Sequence, residues 1–189
     1  SYKSSKYIEE CLNKSAEKFE SKGFVLQDII NELGRRLGYE VMHGRYRGVK
    51  NEIGFDGLWR SPDSRDLIIE VKTTDAYRID LNTLVGYKTR LLNEDKIKAD
   101  VAFLIVFGRE DTGDLESQVR GSRQAWDMRL ISADSLMKLV ILNELTDEDE
   151  TARKIRDVLT PIEYTKLDSL IDIVFTTASD TAEMDIELE

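Results

Sequence analysis

Gly54-Phe55-Asp56-Gly57-Leu58-Trp59, followed by Leu67-Ile68-Ile69-Glu70-Val71-Lys72-Thr73-Thr74, sets two strand-like stretches close together in the chain. Both stretches are rich in apolar residues. Between them Ser61-Pro62-Asp63-Ser64-Arg65-Asp66 favours a tight reversal, so the spacing predicts a hairpin of two strands, Ile53–Arg60 and Leu67–Thr73. Successive side chains on a strand point to opposite faces. Glu70 and Lys72 therefore share one face, Ile69 and Val71 the other, and the hairpin partner brings Asp56 alongside. An acid and a base at the end of an otherwise apolar strand are costly unless they pair with each other, with Asp56 or with a cation.

Working outward, Val25, Leu26, Ile29, Ile30, Leu33 and Leu37 recur at helical spacing and stop at Gly38, a residue suited to closing a helix. An amphipathic leading helix is expected over 6–22, and a short strand over Glu40–His43. Downstream, the pattern predicts a helix over Leu81–Leu92, a buried strand over Asp100–Phe107, and a helix over Glu116–Trp126. A short strand over Met128–Ser132 and a helix over Ala133–Leu142 follow. This order predicts an α/β fold with a central mixed β-sheet flanked by helices. Beyond Asn143, Thr146 is expected to cap a helix whose first turn is acidic, and Pro161–Phe175 is amphipathic. The expected organisation is an N-terminal helix (1–22), a core (23–143), a C-terminal helical appendage (144–175) and an acidic disordered tail (176–189). Trp59 and Trp126 are expected to pack in the core, and His43 to be an ordinary surface residue.

Composition narrows the chemistry. The chain has 189 residues and a formal charge of −10, but the imbalance is local. Residues 1–143 carry 23 acidic and 23 basic side chains, whereas residues 144–189 carry 14 acidic and 4 basic. A single Cys11 excludes a disulfide framework or CxxC zinc site, and a single His43 excludes a His-rich metal site. A metal would have to be held by oxygen. The longest charge-free apolar run, Val101 to Gly108, is 8 residues and too short to cross a bilayer, and the N-terminus has no signal-peptide pattern. No membrane partner and a cytoplasmic location are expected. The first residue is Ser1, as in a processed chain or a piece of a longer one.

Two carboxylates converging on one point suit Mg²⁺, a hard cation that takes one or two carboxylates and keeps waters and phosphate oxygens in its shell. A lysine beside such an ion can orient a water, and together these groups make up a phosphodiesterase apparatus.

With Gly54-Phe55-Asp56-Gly57, Ile69-Glu70-Val71-Lys72, a helix ending Leu37-Gly38-Tyr39 and the later helix-strand-helix-strand-helix order, the chain resembles the PD-(D/E)xK nucleases. These form the restriction-endonuclease-like superfamily, and the nearest type within it is the Mrr-like restriction endonucleases. The resemblance spans about residues 24–143. It implies a restriction endonuclease-like core in which Asp56 and Glu70 are metal ligands, Lys72 is the catalytic lysine, and the Val71 carbonyl is a further ligand. Phe55 stands where the family name has Pro. Mrr-like proteins usually carry Glu in the helix before Gly-Tyr. Aligned on Gly38-Tyr39 this chain has Gln27 there, with Asp28 and Glu32 nearby; Glu32 is the expected assisting acid, lying off the Ile29/Leu33 core line.

A basic cluster of Arg35, Arg36, Arg45, Arg47, Lys50 and Arg60 brackets this site, with Arg45, Arg47 and Lys50 in a Gly-containing loop leading to Asp56. Arg45, Arg47 and Lys50 are expected to contact phosphate, joined by Tyr87 and Lys88 on the next helix and Arg120 on the one after. The function expected is a Mg²⁺-dependent endonuclease, with Mn²⁺ substituting, that hydrolyses DNA phosphodiester bonds. RNA is a lesser alternative substrate. The expected context is a restriction or phage-defence system, with recognition supplied by a homodimer or an additional domain or subunit. The rival is a catalytically silent nuclease-fold module that serves as an interaction or regulatory domain, docking through its acidic C-terminal part.

Overall fold

The computed structural model describes residues 23–44, 54–72, 79–108, 114–123, 125–146, 148–160, 166–168 and 171. Helix α1 (Gly23–Arg36) buries Leu26, Ile30 and Leu33, with Leu37 just beyond its end, as the helical spacing requires. Gly38 closes it at φ 84°, where a Cβ would be strained, and the Tyr39 N–H returns to the Gly34 carbonyl at 3.1 Å.

The chain then enters a five-stranded sheet of order β1-β2-β3-β4-β5. Strands β1 (Glu40–His43), β2 (Gly57–Arg60) and β3 (Leu67–Lys72) pair antiparallel, with Gly57 opposite Ile69. The β2–β3 turn is fixed locally: Ser61 N–H donates to Asp66, and Ser64 N–H to the Ser61 hydroxyl. β4 (Ala102–Phe107) and β5 (Met128–Ser132) add in parallel, after α2 (Leu81–Asn93) and α3 (Leu115–Arg120). The Asp80 carboxylate caps α2 by accepting from the backbone N–H groups of Asn82 and Thr83. Helices α4 (Ala133–Thr146) and α5 (Asp149–Leu159) complete the described elements. Among the described residues no helix is long and apolar enough to cross a membrane.

Strand periodicity sorts the interior into two clusters. Leu67, Ile69, Val71, Leu104, Val106 and Ile131 face α1, α4 and α5, while Ile68, Phe103, Ile105, Phe107 and Leu130 face α2 and α3. The result is an α/β fold with helices on both faces of an open mixed sheet.

Several expectations need correction. The helix expected over Glu116–Trp126 ends at Arg120, where Gly121 and Ser122 turn their N–H groups back onto Ser117 and Val119; a separate 3₁₀ turn spans Ala125–Asp127. Trp126 on that turn is 63% exposed rather than in the core, whereas Trp59 is fully buried. Thr146 ends α4 and bonds back to Leu142 and Asn143, and Glu148 takes the cap position of α5 without a side-chain bond. The strand over Ile53–Arg60 starts only at Gly57 among the described residues. The segment expected as an appendage shares the core: Ile155, Leu159, Leu167 and Ile171 lie in the cluster with α1 and the sheet. Arg156 is drawn in too, bonding Asp63 through its Nε at 2.7 Å and the Leu37 carbonyl at 2.9 Å. The expected leading helix (6–22) and acidic tail (176–189) fall outside the described residues.

Because Leu159 is fully buried against this shared core, Leu159→Ala should lower unfolding free energy by about 3 kcal/mol. Urea denaturation measures it, and a loss below about 0.5 kcal/mol would show that α5 docks only loosely.

Candidate metal-centred site

The end of β3 carries the chemistry. Ile69 and Val71 point into the α1-side cluster, which leaves Glu70 and Lys72 on the face with Ile68. There the Lys72 Nζ lies 2.6 Å from Glu70 Oε1. The glutamate side chain is 13% exposed, and its other oxygen, Oε2, is buried with no hydrogen-bond partner. A carboxylate oxygen withdrawn from water and left unpaired is unfavourable by a few kcal/mol or more, unless something positive occupies the position it faces.

Asp56 stands one residue before β2, immediately beyond the Gly57–Ile69 pair. Its backbone is held on three sides. The Asp56 N–H donates to the Ile69 carbonyl at 3.1 Å, and its own carbonyl accepts from Gly44 N–H at 3.1 Å and from Asn31 Nδ2 at 3.0 Å. The carboxylate is equally fixed: Oδ2 accepts from Val71 N–H at 2.7 Å and Oδ1 from Gln27 Nε2 at 2.6 Å. Asn31 is almost fully buried and its Oδ1 accepts from Trp59 Nε1 at 2.9 Å, so the polar spine of α1 is anchored in the core. Gly57 is required by this close approach, since a Cβ there would collide with the Asn31 amide.

Burial, and next the nearby Glu70 charge, push the Asp56 carboxyl from 3.8 up to about 7, against the opposing pull of the Val71 N–H, Lys72 and Gln27. Two carboxyl groups share a partly buried position, one of them reluctant to ionise and the other with an unpartnered oxygen. That donor chemistry fits a hard divalent cation, which would neutralise the first and satisfy the second. Among the described residues no group of three or more His, Cys, Asp or Glu converges, so the fit is to a two-carboxylate centre.

The other expected residues divide. Tyr87 on α2 lies beside the site: its hydroxyl would be 3.2 Å from a Cβ on Gly54, and burial followed by the Glu70 charge raises its pKa. Glu32 does not face Asp56. It pairs with Arg35 at 3.1 Å and Arg36 at 3.2 Å, because five positions along a helix from Gln27 amount to a rotation of about 140°. Lys88 also faces away, donating to the Val101 carbonyl at 2.9 Å and lying 3.4 Å from Asp127. Arg120 is exposed and pairs with Glu116 on its own helix at 2.8 Å. Gln118 braces the backbone of Ile79 through both ends of its amide. Arg45, Arg47 and Lys50 lie outside the described residues. Val71 enters through its N–H, which orients Asp56.

The residues that sequence reasoning underrated are Gln27 and Asn31. Their signal was present: two amides four positions apart, one of them inside the apolar line of α1. His43 is exposed, as expected, and is bonded to Arg35 and 3.5 Å from Asp28. In comparisons with known proteins, no family model, curated protein or solved structure matches the chain.

A raised acid pKa makes a defined pH signature. The folded chain keeps the Asp56 proton that the unfolded chain releases above 3.8, so the metal-free fold loses stability as pH rises from there to about 7. Asp56→Asn removes that loss, and Gln27 can turn its amide to accept from the new NH₂. At about pH 8 the variant should be more stable by about 2 kcal/mol, a figure discounted for partial exposure, and the gain should vanish by about pH 4. Thermal melts in chelator at the two pH values check this; an equal shift at both would contradict it.

Proposed function

We propose that the chain is a Mg²⁺-dependent endonuclease, Mn²⁺ substituting, that hydrolyses DNA phosphodiester bonds from a restriction endonuclease-like core. The observation that carries the reading is the convergence of Asp56, Glu70 and Lys72 at one end of β3, with a buried oxygen of Glu70 left without a partner. The described helix-strand order, antiparallel through β3 and parallel after it, is compatible with such a core.

In this reading Asp56, Glu70 and the Val71 carbonyl would hold the ion. When bound, it would neutralise a non-bridging phosphate oxygen and lower the pKa of a water. Glu70 holds the Lys72 ammonium by their 2.6 Å pair, so that Lys72 can orient the attacking water or donate to the phosphate. Hydrolysis joins the water oxygen to phosphorus, breaks the bond to the leaving sugar oxygen and transfers a proton to that oxygen. Val71 N–H and Gln27 fix the Asp56 carboxylate, so the acid arrives already oriented. Tyr87, whose hydroxyl feels the charges of Glu70, Lys72 and Asp56, would border the substrate.

Contact with the duplex falls mainly to Arg45, Arg47 and Lys50, which lie outside the described residues. Arg35, Arg36 and Arg60 each stand in an ion pair with a glutamate, which lowers their attraction for phosphate. With such a modest cationic surface, target choice is assigned to a second copy or another domain or subunit, as in a restriction or defence system.

Supercoiled, linear and single-stranded DNA, and RNA, incubated with Mg²⁺ or with chelator, give the direct test. DNA should be cut only with the ion. Asp56→Ala and Lys72→Ala should each lower the rate by at least about a hundredfold while leaving the melting curve cooperative. Undiminished cleavage by both variants would overturn the assignment, and no cleavage of any nucleic acid would favour the silent interaction module.

A further inference from the structure

Gln27 approaches Asp56 from α1, on one face of the sheet, while Glu70 extends from the opposite face, where Ile68 packs toward α2 and α3. The two sides of the Asp56 carboxylate are therefore chemically different. On the side away from α1 lies the charge of Glu70, whose Oε2 is buried without a hydrogen-bond partner, so that side can accept a cation. The side toward α1 meets the amide nitrogen of Gln27 at 2.6 Å, and its hydrogens carry partial positive charge. A cation placed on that side would face the amide hydrogens rather than a third acid. The two nearby acids of α1 are turned elsewhere: Asp28 lies 3.5 Å from His43, and Glu32 pairs with Arg35 and Arg36.

Resting on the reading of this site as a metal centre, we infer that Gln27 limits it to a single divalent ion, held between Asp56 and Glu70. A glutamate at position 27 would replace the amide donor with a carboxylate facing Asp56, which is the composition a second ion needs. Gln27 is a positioning residue: it acts by orienting Asp56 and by occupying the α1 side of its carboxylate.

Calorimetric titration of the full chain with Mn²⁺ alone, joined to electron paramagnetic resonance of the loaded protein, reads the count directly. Wild type should take one Mn²⁺ per chain and show an isolated-ion spectrum. Gln27→Glu should take two and show the broadened spectrum of a magnetically coupled pair. Two ions in the wild type would overturn the inference and leave the metal centre standing, whereas no binding would overturn both. A Gln27→Glu protein that melts cooperatively yet still takes one ion would remove Gln27 as the limiting group. The wild-type count decides the ion number whether or not that variant folds.

Discussion

The Asp56 carboxylate, clamped between the Val71 N–H and the Gln27 amide, is the interaction on which the rest of the site depends. It ties together three elements distant in sequence: α1, the start of β2 and the end of β3. Each tie has a structural cause. The antiparallel register that sets Gly57 opposite Ile69 places Asp56 beside Glu70 and Val71, and the apolar face of α1 packs on the sheet so that Gln27 and Asn31 reach the strand start. The clamp holds an acid in an environment that resists its ionisation, at about 7 rather than 3.8. Groups shifted in this way by burial and a neighbouring like charge recur at functional sites.

The fold serves this clamp from both sides. The cluster under α1, α4 and α5 fixes Trp59, whose indole N–H in turn fixes Asn31 and hence the Asp56 backbone. The cluster under α2 and α3 holds Tyr87, partly buried, beside Glu70 and Asp56. The acidic C-terminal segment takes part through α5, whose Arg156 reaches the Asp63 turn and the end of α1. Net charge alone conceals this, because the same segment that carries the excess of acids contributes Ile155 and Leu159 to the core.

Much of the architecture was legible because its signals are local. Strands β1 and β5 occupy the residues that alternation and apolar content indicate, and the period of two put Glu70 and Lys72 together on one face. Illegible features depend on rotation or on tertiary partners. Helical phase is one such feature: Glu32 lies off the apolar line, as an assisting acid would, but Arg35 and Arg36 one turn away pair with it, and Gln27 is the side chain of α1 that bonds Asp56. Lys88 is likewise one position around the helix from Tyr87 and finds Val101 and Asp127 instead. Trp126 carries a core-like side chain, yet the break at Gly121 leaves it on an exposed turn. A buried Arg156 cannot be read from a helix with charged residues along most of its length, since its partners are a turn and a helix end far away in sequence.

Whether Asp56 and Glu70 together hold a divalent cation, as proposed, is read most directly from the melting temperature of the chain with and without Mg²⁺ near neutral pH, in wild type and in Glu70→Gln. A ligand at a hundred times its Kd stabilises the fold by about 2.7 kcal/mol, a shift of several degrees. That rise is expected in the wild type, and its loss in Glu70→Gln. An unchanged melting temperature in the wild type, or an equal rise in both proteins, would contradict it.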